Sequence, residues 1–218
     1  MISSIMYGLA LYAYSINWIV VPVTLLLCFL YTLLIKQKIQ LTYTLISCSV
    51  LFALALPLIL FVLVNKGYIP EITTGLISIP KMLAMRDYEI SFHNLSSWES
   101  YRNLLDILWH QNDGLIWNST SEFGLFYKFS LPFILLGGAK LFSIAFKSAR
   151  KKIFCYESIL CIGLLSSLFT CLLISNLNVN KANSLHFFIV ILLTLGIKEV
   201  FVICRKHSVI NKAIIAAY

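Results

Sequence analysis

Charged residues are absent from the first 35 positions of the chain, and four further apolar stretches follow at residues 41–64, 127–146, 154–175 and 185–203. The 24 residues of 41–64 carry no charge, and as a helix they would extend about 36 Å, enough to cross a bilayer with tilt. The stretches lack the alternation of a barrel strand. They are therefore predicted to be helices, which satisfy their own backbone groups in lipid.

The first 35 residues are too long for one span, because about 52 Å of helix exceeds a hydrocarbon core of roughly 30 Å. A polar and aromatic cluster of the kind found at membrane interfaces interrupts them. It consists of Tyr12, Tyr14, Ser15, Asn17 and Trp18. We therefore predict a complete span at residues 16–35 and the final part of another at 1–14. A signal peptide is the alternative, but it would need a basic segment at its start and a cleavage site flanked by small residues.

These stretches predict an all-α fold. It is a polytopic membrane helical bundle of about six spans, the first partial, in a single integral-membrane region over residues 1–218. The composition agrees, since 60% of the chain is hydrophobic, only 12% is charged and the mean hydropathy is +0.88. A soluble domain of this length could not bury so much apolar surface.

The basic residues indicate the orientation. Eight of them, with no acidic residue among them, occupy the short connections on one side of the predicted spans. They are Lys36, Lys38, Lys147, Arg150, Lys151, Lys152, Arg205 and Lys206. The long connection at residues 65–126 holds four basic and seven acidic residues. The positive-inside rule then predicts a cell-membrane protein with both termini in the cytoplasm and an extracytoplasmic loop at 65–126.

Neither a nucleic-acid partner nor a metal is indicated by the sequence. The net charge of +8 is spread over the membrane turns rather than gathered on a soluble module, which argues against nucleic-acid binding. The six cysteines lie in or beside the predicted spans and form no CxxC pair, so they predict neither a disulfide framework nor a zinc site. No cofactor is evident, and the oligomeric state is not indicated.

The extracytoplasmic loop contains a predicted amphipathic helix. Ser96 and Glu99 have the spacing of a capping box at its start, and Gly114 is suited to the left-handed conformation at its end. Its apolar stripe consists of Trp98, Tyr101, Leu104, Leu105 and Leu108. Such a helix next to a membrane is expected to lie in the interface plane. Residues 79–82, which include Pro80, predict the start of a second short helix.

Two polar segments are candidates for chemistry. The first, residues 111–119, contains Asn112, Asp113, Trp117 and Asn118. It could bind a sugar or a phosphate head group, with Asp113 as a base or metal ligand. The alternative is a tight turn, because Asn-Asp-Gly is typical of a helix exit.

The second polar segment, residues 176–186, lies at the outer mouth of a predicted span. Asn180, Lys181 and Asn183 could bind an anionic head group there, assisted by the N-terminus of the following helix. The alternative is a solvated loop in which Asn183 or Ser184 caps that helix.

Lys140, Lys198 and Glu199 are candidates for functional charge within predicted spans. Lys140 and Lys198 each lie seven residues before a cytoplasmic basic residue, so both are expected to extend to the cytoplasmic interface. Glu199 is expected to be partly compensated by its neighbour Lys198.

Short elements along most of the chain resemble a known family. They are GLALYAY at residues 8–14 before a span with Pro22, IPK at 79–81, RxxEIS at 86–91, QNDGxxWN at 111–118, FGxxYxxSLPF at 123–133 and NxNKxN at 178–183. Together they resemble the multi-span glycosyltransferases that use polyprenyl-phosphate sugars, relatives of protein O-mannosyltransferases and lipid A aminoarabinose transferases.

The resemblance implies an inverting transfer of a sugar from polyprenyl phosphate to an extracytoplasmic acceptor. The family's catalytic carboxylate belongs to its first outer loop, so the chain is expected to be a middle-to-C-terminal segment that lacks it and is inactive alone. Lys181 stands where the family has arginine, and Lys181 or Arg102 is expected near the donor phosphate. The partners implied are the polyprenyl-phosphate sugar and membrane lipid, with a divalent metal conceivable in the intact enzyme.

Two other functions remain open from the residues. A transporter or flippase for a lipid-linked saccharide would need polar groups near the middle of the bilayer. A non-catalytic membrane scaffold would bind its partners through the extracytoplasmic loop.

Overall fold

A computed structural model describes residues 2–75, 77–82, 89–120 and 122–206. Seven α-helices are numbered in chain order. They are α1 Ile2–Ala13, α2 Asn17–Leu34, α3 Leu41–Asn65, α4 Trp98–Leu105, α5 Leu131–Arg150, α6 Tyr156–Leu173 and α7 Asn183–Lys206. Five of the helices in this part of the chain are long and apolar enough to cross a membrane, and α1 is a shorter apolar helix. The prediction of an all-α, multi-pass bundle is confirmed.

Shorter elements complete the connection between α3 and α5. Strands β1, Ile72–Thr73, and β2, Ser78–Ile79, form an antiparallel hairpin. A 3₁₀ helix spans Phe92–Ser96, a π-helical turn at Asp106–His110 continues α4, and a second 3₁₀ turn at Lys128–Ser130 leads into α5.

Helices α5 and α7 run side by side in the same direction and are in close contact. A Cβ atom added at Gly137 would overlap the Leu192 carbonyl, and one at Gly196 would overlap the carbonyl of Phe133. Only glycine permits this approach of two backbones, which is a common way of packing membrane helices.

One turn further along this pair, Lys140 Nζ lies 3.0 Å from Glu199 Oε2. Glu199 is therefore compensated by Lys140 on the neighbouring helix, a partner that the sequence analysis did not predict.

The connection at residues 65–126 packs onto the C-terminal end of α6. Leu104 and Ile107, on one face of α4 and its π-helical continuation, join a buried cluster with residues at the end of α6 and just after it. Those residues are Cys171, Ile174 and Leu177. More than half of α6 is buried. The connection is therefore part of the folded body.

Several local predictions for this connection are wrong. Helix α4 begins after Ser97, which makes no side-chain capping bond, while Ser96 ends the preceding 3₁₀ helix. The helix exit, in contrast, lies next to the predicted Asn112–Gly114 turn: the helix ends at Gln111, which has φ +54°, and Gly114 adopts the left-handed conformation with φ +78°. The predicted stripe is divided between two faces, because Leu104 is buried while Trp98, Tyr101 and Leu105 are exposed.

The second short helix predicted from residue 79 does not begin there. Ile79 lies in β2, where it pairs with Ile72. Pro80, Lys81 and Met82 follow without helical structure. Backbone pairing across the hairpin has overridden the local preference of proline for a first helical turn.

Candidate functional site

Residues 89–91 of the connection between α3 and α5 pair with the chain at the C-terminal end of α6. The loop strand before the 3₁₀ helix lies antiparallel to the chain leaving α6, with Ile90 bridged to Ile174. The Ser91 N–H donates to the Leu173 carbonyl at 3.0 Å, and the Ser175 N–H donates to the Glu89 carbonyl at 2.8 Å. These bonds fix the connection at residues 65–126 against the segment between α6 and α7. The Arg86 and Asp87 positions of the RxxEIS element lie outside the described residues.

Asp113 joins the two polar segments that the sequence singled out, residues 111–119 and 176–186. Its Oδ2 accepts a hydrogen bond from the Val179 N–H at 2.9 Å and from Asn118 Nδ2 at 2.6 Å, and its Oδ1 accepts from the Leu115 N–H at 3.0 Å. The carboxylate therefore closes its own turn and holds the segment before α7 at the same time. We call this group of contacts the Asp113 clasp.

These bonds limit the chemistry available to Asp113. Partial burial alone would raise the pKa of its carboxyl group, but the hydrogen bonds from Val179, Asn118 and Leu115 outweigh burial and lower the pKa below its ordinary value. A carboxylate held ionised, with both oxygens engaged, is a weak general base. Within the described residues, no group of three or more His, Cys, Asp or Glu side chains is arranged to hold a metal ion.

Asn112, next to Asp113, also makes hydrogen bonds within the turn. Asn112 Oδ1 accepts hydrogen bonds from the Gly114 N–H at 2.8 Å and from Ser119 Oγ at 3.2 Å. Trp117 is exposed on the outer surface. The structure thus supports a bonded turn at residues 112–119, the alternative left open by the sequence.

Lys181 has partners of its own. Its Nζ lies 3.1 Å from Glu89 Oε2 and 3.2 Å from the Asn176 carbonyl oxygen. Its backbone N–H donates to Asn178 Oδ1 at 2.9 Å. The ammonium group therefore connects the segment before α7 to residues 89–91, beside the Ile90–Ile174 bridge.

Arg102 lies elsewhere in the structure. It is on the exposed side of α4, with its Nε 4.0 Å from Asp106 Oδ2 one turn later. It lines a groove on α4 with Trp98 and His110, whereas Asn180 and Asn183 line a different cavity. The structure does not bring Arg102 together with Asn180 and Asn183.

An open cleft of about 410 Å³ lies at one end of the bundle, between the α1–α2 turn and the start of α7. It is lined by Tyr14, Val179, Asn180, Asn183 and His186. The His186 ring packs edge-on against a phenylalanine ring, and its Nε2 is buried without a hydrogen-bond partner in the part of the chain that is described.

Two of these residues were not predicted as site residues. Tyr14 belongs to the cluster assigned to the membrane interface, and nothing local relates it to a segment so distant in the chain. His186 follows Asn183 by three positions, the spacing of neighbours on one helix face. That spacing was the available signal for His186.

No protein-family model, curated protein or solved structure matches the chain. The geometry of the cleft and of its surroundings is therefore the basis for a functional proposal.

Proposed function

We propose that the chain belongs to a membrane glycosyltransferase that moves a sugar from a polyprenyl-phosphate donor to an extracytoplasmic acceptor. The observation that carries the proposal is the cleft lined by Tyr14, Asn180, Asn183 and His186. Its polar lining lies at the ends of apolar helices, where the head group of a lipid-linked donor would be held while its chain stays in lipid. Asn180 and Asn183 are also part of the NxNKxN element that resembles the family.

In such a reaction an acceptor hydroxyl attacks the anomeric carbon of the sugar while the bond from that carbon to the phosphate oxygen breaks. A base takes the hydroxyl proton, and the phosphate leaves with the electron pair. The hydrogen bonds to both oxygens of Asp113 argue against Asp113 as that base. We assign the cleft to substrate binding and leave the proton transfer unassigned.

The proposal includes the orientation in the membrane. With both termini in the cytoplasm, as the basic turns at Lys36, Lys147 and Arg205 favour, the cleft opens at the extracytoplasmic surface. Polyprenyl-phosphate sugars presented in the outer leaflet would reach it without crossing the bilayer again.

A transporter of a lipid-linked saccharide is the second candidate. The observation that favours it is the Lys140–Glu199 ion pair within the membrane helices, since charge at that depth often serves transport. The cleft residues, however, lie at the α1–α2 turn and at the start of α7 rather than along the middle of the membrane helices, and this favours the transferase.

The test is an assay of sugar transfer. Membranes from cells that make the natural gene product receive polyprenyl phosphate carrying a radiolabelled sugar, and label appearing on the acceptor is counted. The double variant Asn180→Ala/Asn183→Ala should lower transfer at least tenfold, because amide contacts to the substrate are lost. The control His93→Ala removes an exposed side chain from the 3₁₀ helix and should leave transfer unchanged.

The proposal would be contradicted if labelled sugar crosses the membrane on its lipid without reaching an acceptor, which would favour the transporter. Equal transfer by the double variant and the wild type, at matched expression, would also contradict it.

A further inference from the structure

We propose that the cleft lined by Tyr14, Asn180, Asn183 and His186 binds an uncharged sugar ring and not the phosphate of the donor, with Lys181 acting as a positioning residue. The inference rests on the proposed function and departs from the sequence-based expectation that Lys181 faces the phosphate. It follows from the charges, the hydrogen bonds and the shape of the surroundings.

The charges beside the cleft disfavour an anion. The lining residues carry no formal charge with histidine neutral. The ammonium group of Lys181, next to Asn180 in the chain, is paired with Glu89 at 3.1 Å, and the Asp113 carboxylate accepts from the N–H of Val179, which lines the cleft. Among these three charged groups one cation is set against two carboxylates, which disfavours a phosphate.

The helix start offers few free donors to an anion. A helix N-terminus binds phosphate through N–H groups that lack partners. Between residues 179 and 186, five backbone N–H groups already donate to protein oxygens. They are those of Val179, Lys181, Ala182, Leu185 and His186. In this described stretch, the N–H groups of Asn180, Asn183 and Ser184 remain for a ligand, and an uncharged sugar oxygen can accept from them as well as an anion can.

The side chains of the cleft suit hydroxyl groups instead. The amides of Asn180 and Asn183 each combine donors with an acceptor, and the phenol of Tyr14 can do both. His186 Nε2 is buried without a partner in the described part of the chain, and such atoms are uncommon in folded proteins. That atom is closed to solvent, so a ligand in the cleft would contact the His186 ring rather than Nε2. A volume of about 410 Å³ lies in the range of small-molecule sites.

The test reads binding at His186 directly. The full chain, labelled with ¹³C-histidine, is placed in phosphatidylcholine nanodiscs, and the His186 ring signal is assigned by its loss in His186→Asn. Methyl glycosides of glucose, galactose and mannose, and inorganic phosphate, are titrated separately. At least one glycoside should shift the His186 signal saturably at millimolar concentration, while phosphate at the same concentration should not. A shift by phosphate, or the absence of a shift with every glycoside, would overturn the inference.

Two variants test whether the amide side chains of the cleft bind the glycoside. Asn183→Ala should weaken glycoside binding at least fivefold, because one wall of amide contacts is lost. His93→Ala is the matched control and should bind like the wild type. Equal affinity of Asn183→Ala and wild type would contradict the assignment.

The sugar could belong to the donor or to the acceptor. A polyprenyl-phosphate sugar should displace the glycoside if the cleft holds the donor's sugar, and should bind together with it if the cleft holds the acceptor's sugar. Displacement by polyprenyl phosphate that carries no sugar would overturn the inference. Because binding needs no transfer, glycoside binding without transfer would refute only the proposed function. Transfer by a protein whose His186 signal responds only to phosphate would refute only this inference.

Discussion

The Lys181–Glu89 pair gives the sharpest prediction about how the connection at residues 65–126 is held against the segment before α7. Lys181→Met keeps most of the aliphatic stem but removes the ammonium group, leaving Glu89 without the partner 3.1 Å away. If the pair has a structural role, this substitution should destabilise the fold. If Lys181 instead serves a donor phosphate, it should weaken donor binding and leave stability nearly unchanged.

The burial of the pair determines the expected magnitude. The Lys181 and Glu89 side chains retain 19% and 23% exposure. They therefore lie between exposed pairs, worth about 0–1 kcal/mol, and fully buried pairs, where removal of one partner costs about 3–5 kcal/mol. We expect Lys181→Met to lower the free energy of unfolding by about 2 kcal/mol, equivalent to about 4–8 °C in Tm for a chain of this length.

A double-mutant cycle measures the coupling. Lys181→Met, Glu89→Gln and the double variant are unfolded in SDS titrations followed by tryptophan fluorescence, with Lys66→Met as the control for an exposed lysine. The double variant should be about 1–2 kcal/mol more stable than the sum of the single effects predicts. Additivity within about 0.3 kcal/mol would refute the structural role of the pair.

Three further predictions concern the clasp, the spans and the orientation. Asp113→Asn should cost about 1–2 kcal/mol at neutral pH. The folded-state pKa of Asp113 lies below its ordinary 3.8. The stability difference between wild type and Asp113→Asn should therefore be complete above pH 3.8 and should vanish as the pH falls through the folded pKa. A stability difference independent of pH would contradict this. Lys140→Met should lower the free energy of unfolding by about 1–2 kcal/mol more than Lys140→Met/Glu199→Leu does, because only the single variant leaves the Glu199 carboxylate unpaired; equal stabilities of the two variants would contradict a stabilising role of the pair. In a cysteine-free background on intact cells, an impermeant thiol reagent should label Ser96→Cys and spare Ser148→Cys, and the reverse pattern would refute the orientation.

The spans could be predicted from sequence because lipid imposes a simple length and composition rule. The helix ends outside the membrane could not. Gln111 adopts the left-handed conformation where its Oε1 accepts a 2.8 Å hydrogen bond from the Phe126 N–H. The start of α4 depends on the preceding 3₁₀ helix, which Ser91 caps by accepting from the His93 N–H.

The candidate site could be predicted from the sequence only in part. Sequence pointed to both polar segments, since amides and charges stand out next to apolar spans. It could not show that Asp113 meets Val179 or that Lys181 meets Glu89, because these contacts join residues far apart in the chain. Tyr14 enters the cleft only through the packing of the α1–α2 turn.

Cross-linking across the Ile90–Ile174 bridge tests most directly the central claim that the connection at residues 65–126 docks on the α6–α7 segment and so positions the cleft residues of that segment. Facing residues of an antiparallel bridge have Cα atoms about 4.5–5.5 Å apart, a separation that a disulfide can span. In a cysteine-free background, Ile90→Cys/Ile174→Cys should form an intramolecular disulfide under mild oxidation in native membranes, detected as a linked peptide by mass spectrometry. The control Ile77→Cys/Ile174→Cys, whose first cysteine lies outside the bridge, should form little. Equal cross-linking of the two pairs, or none in the first, would contradict the account.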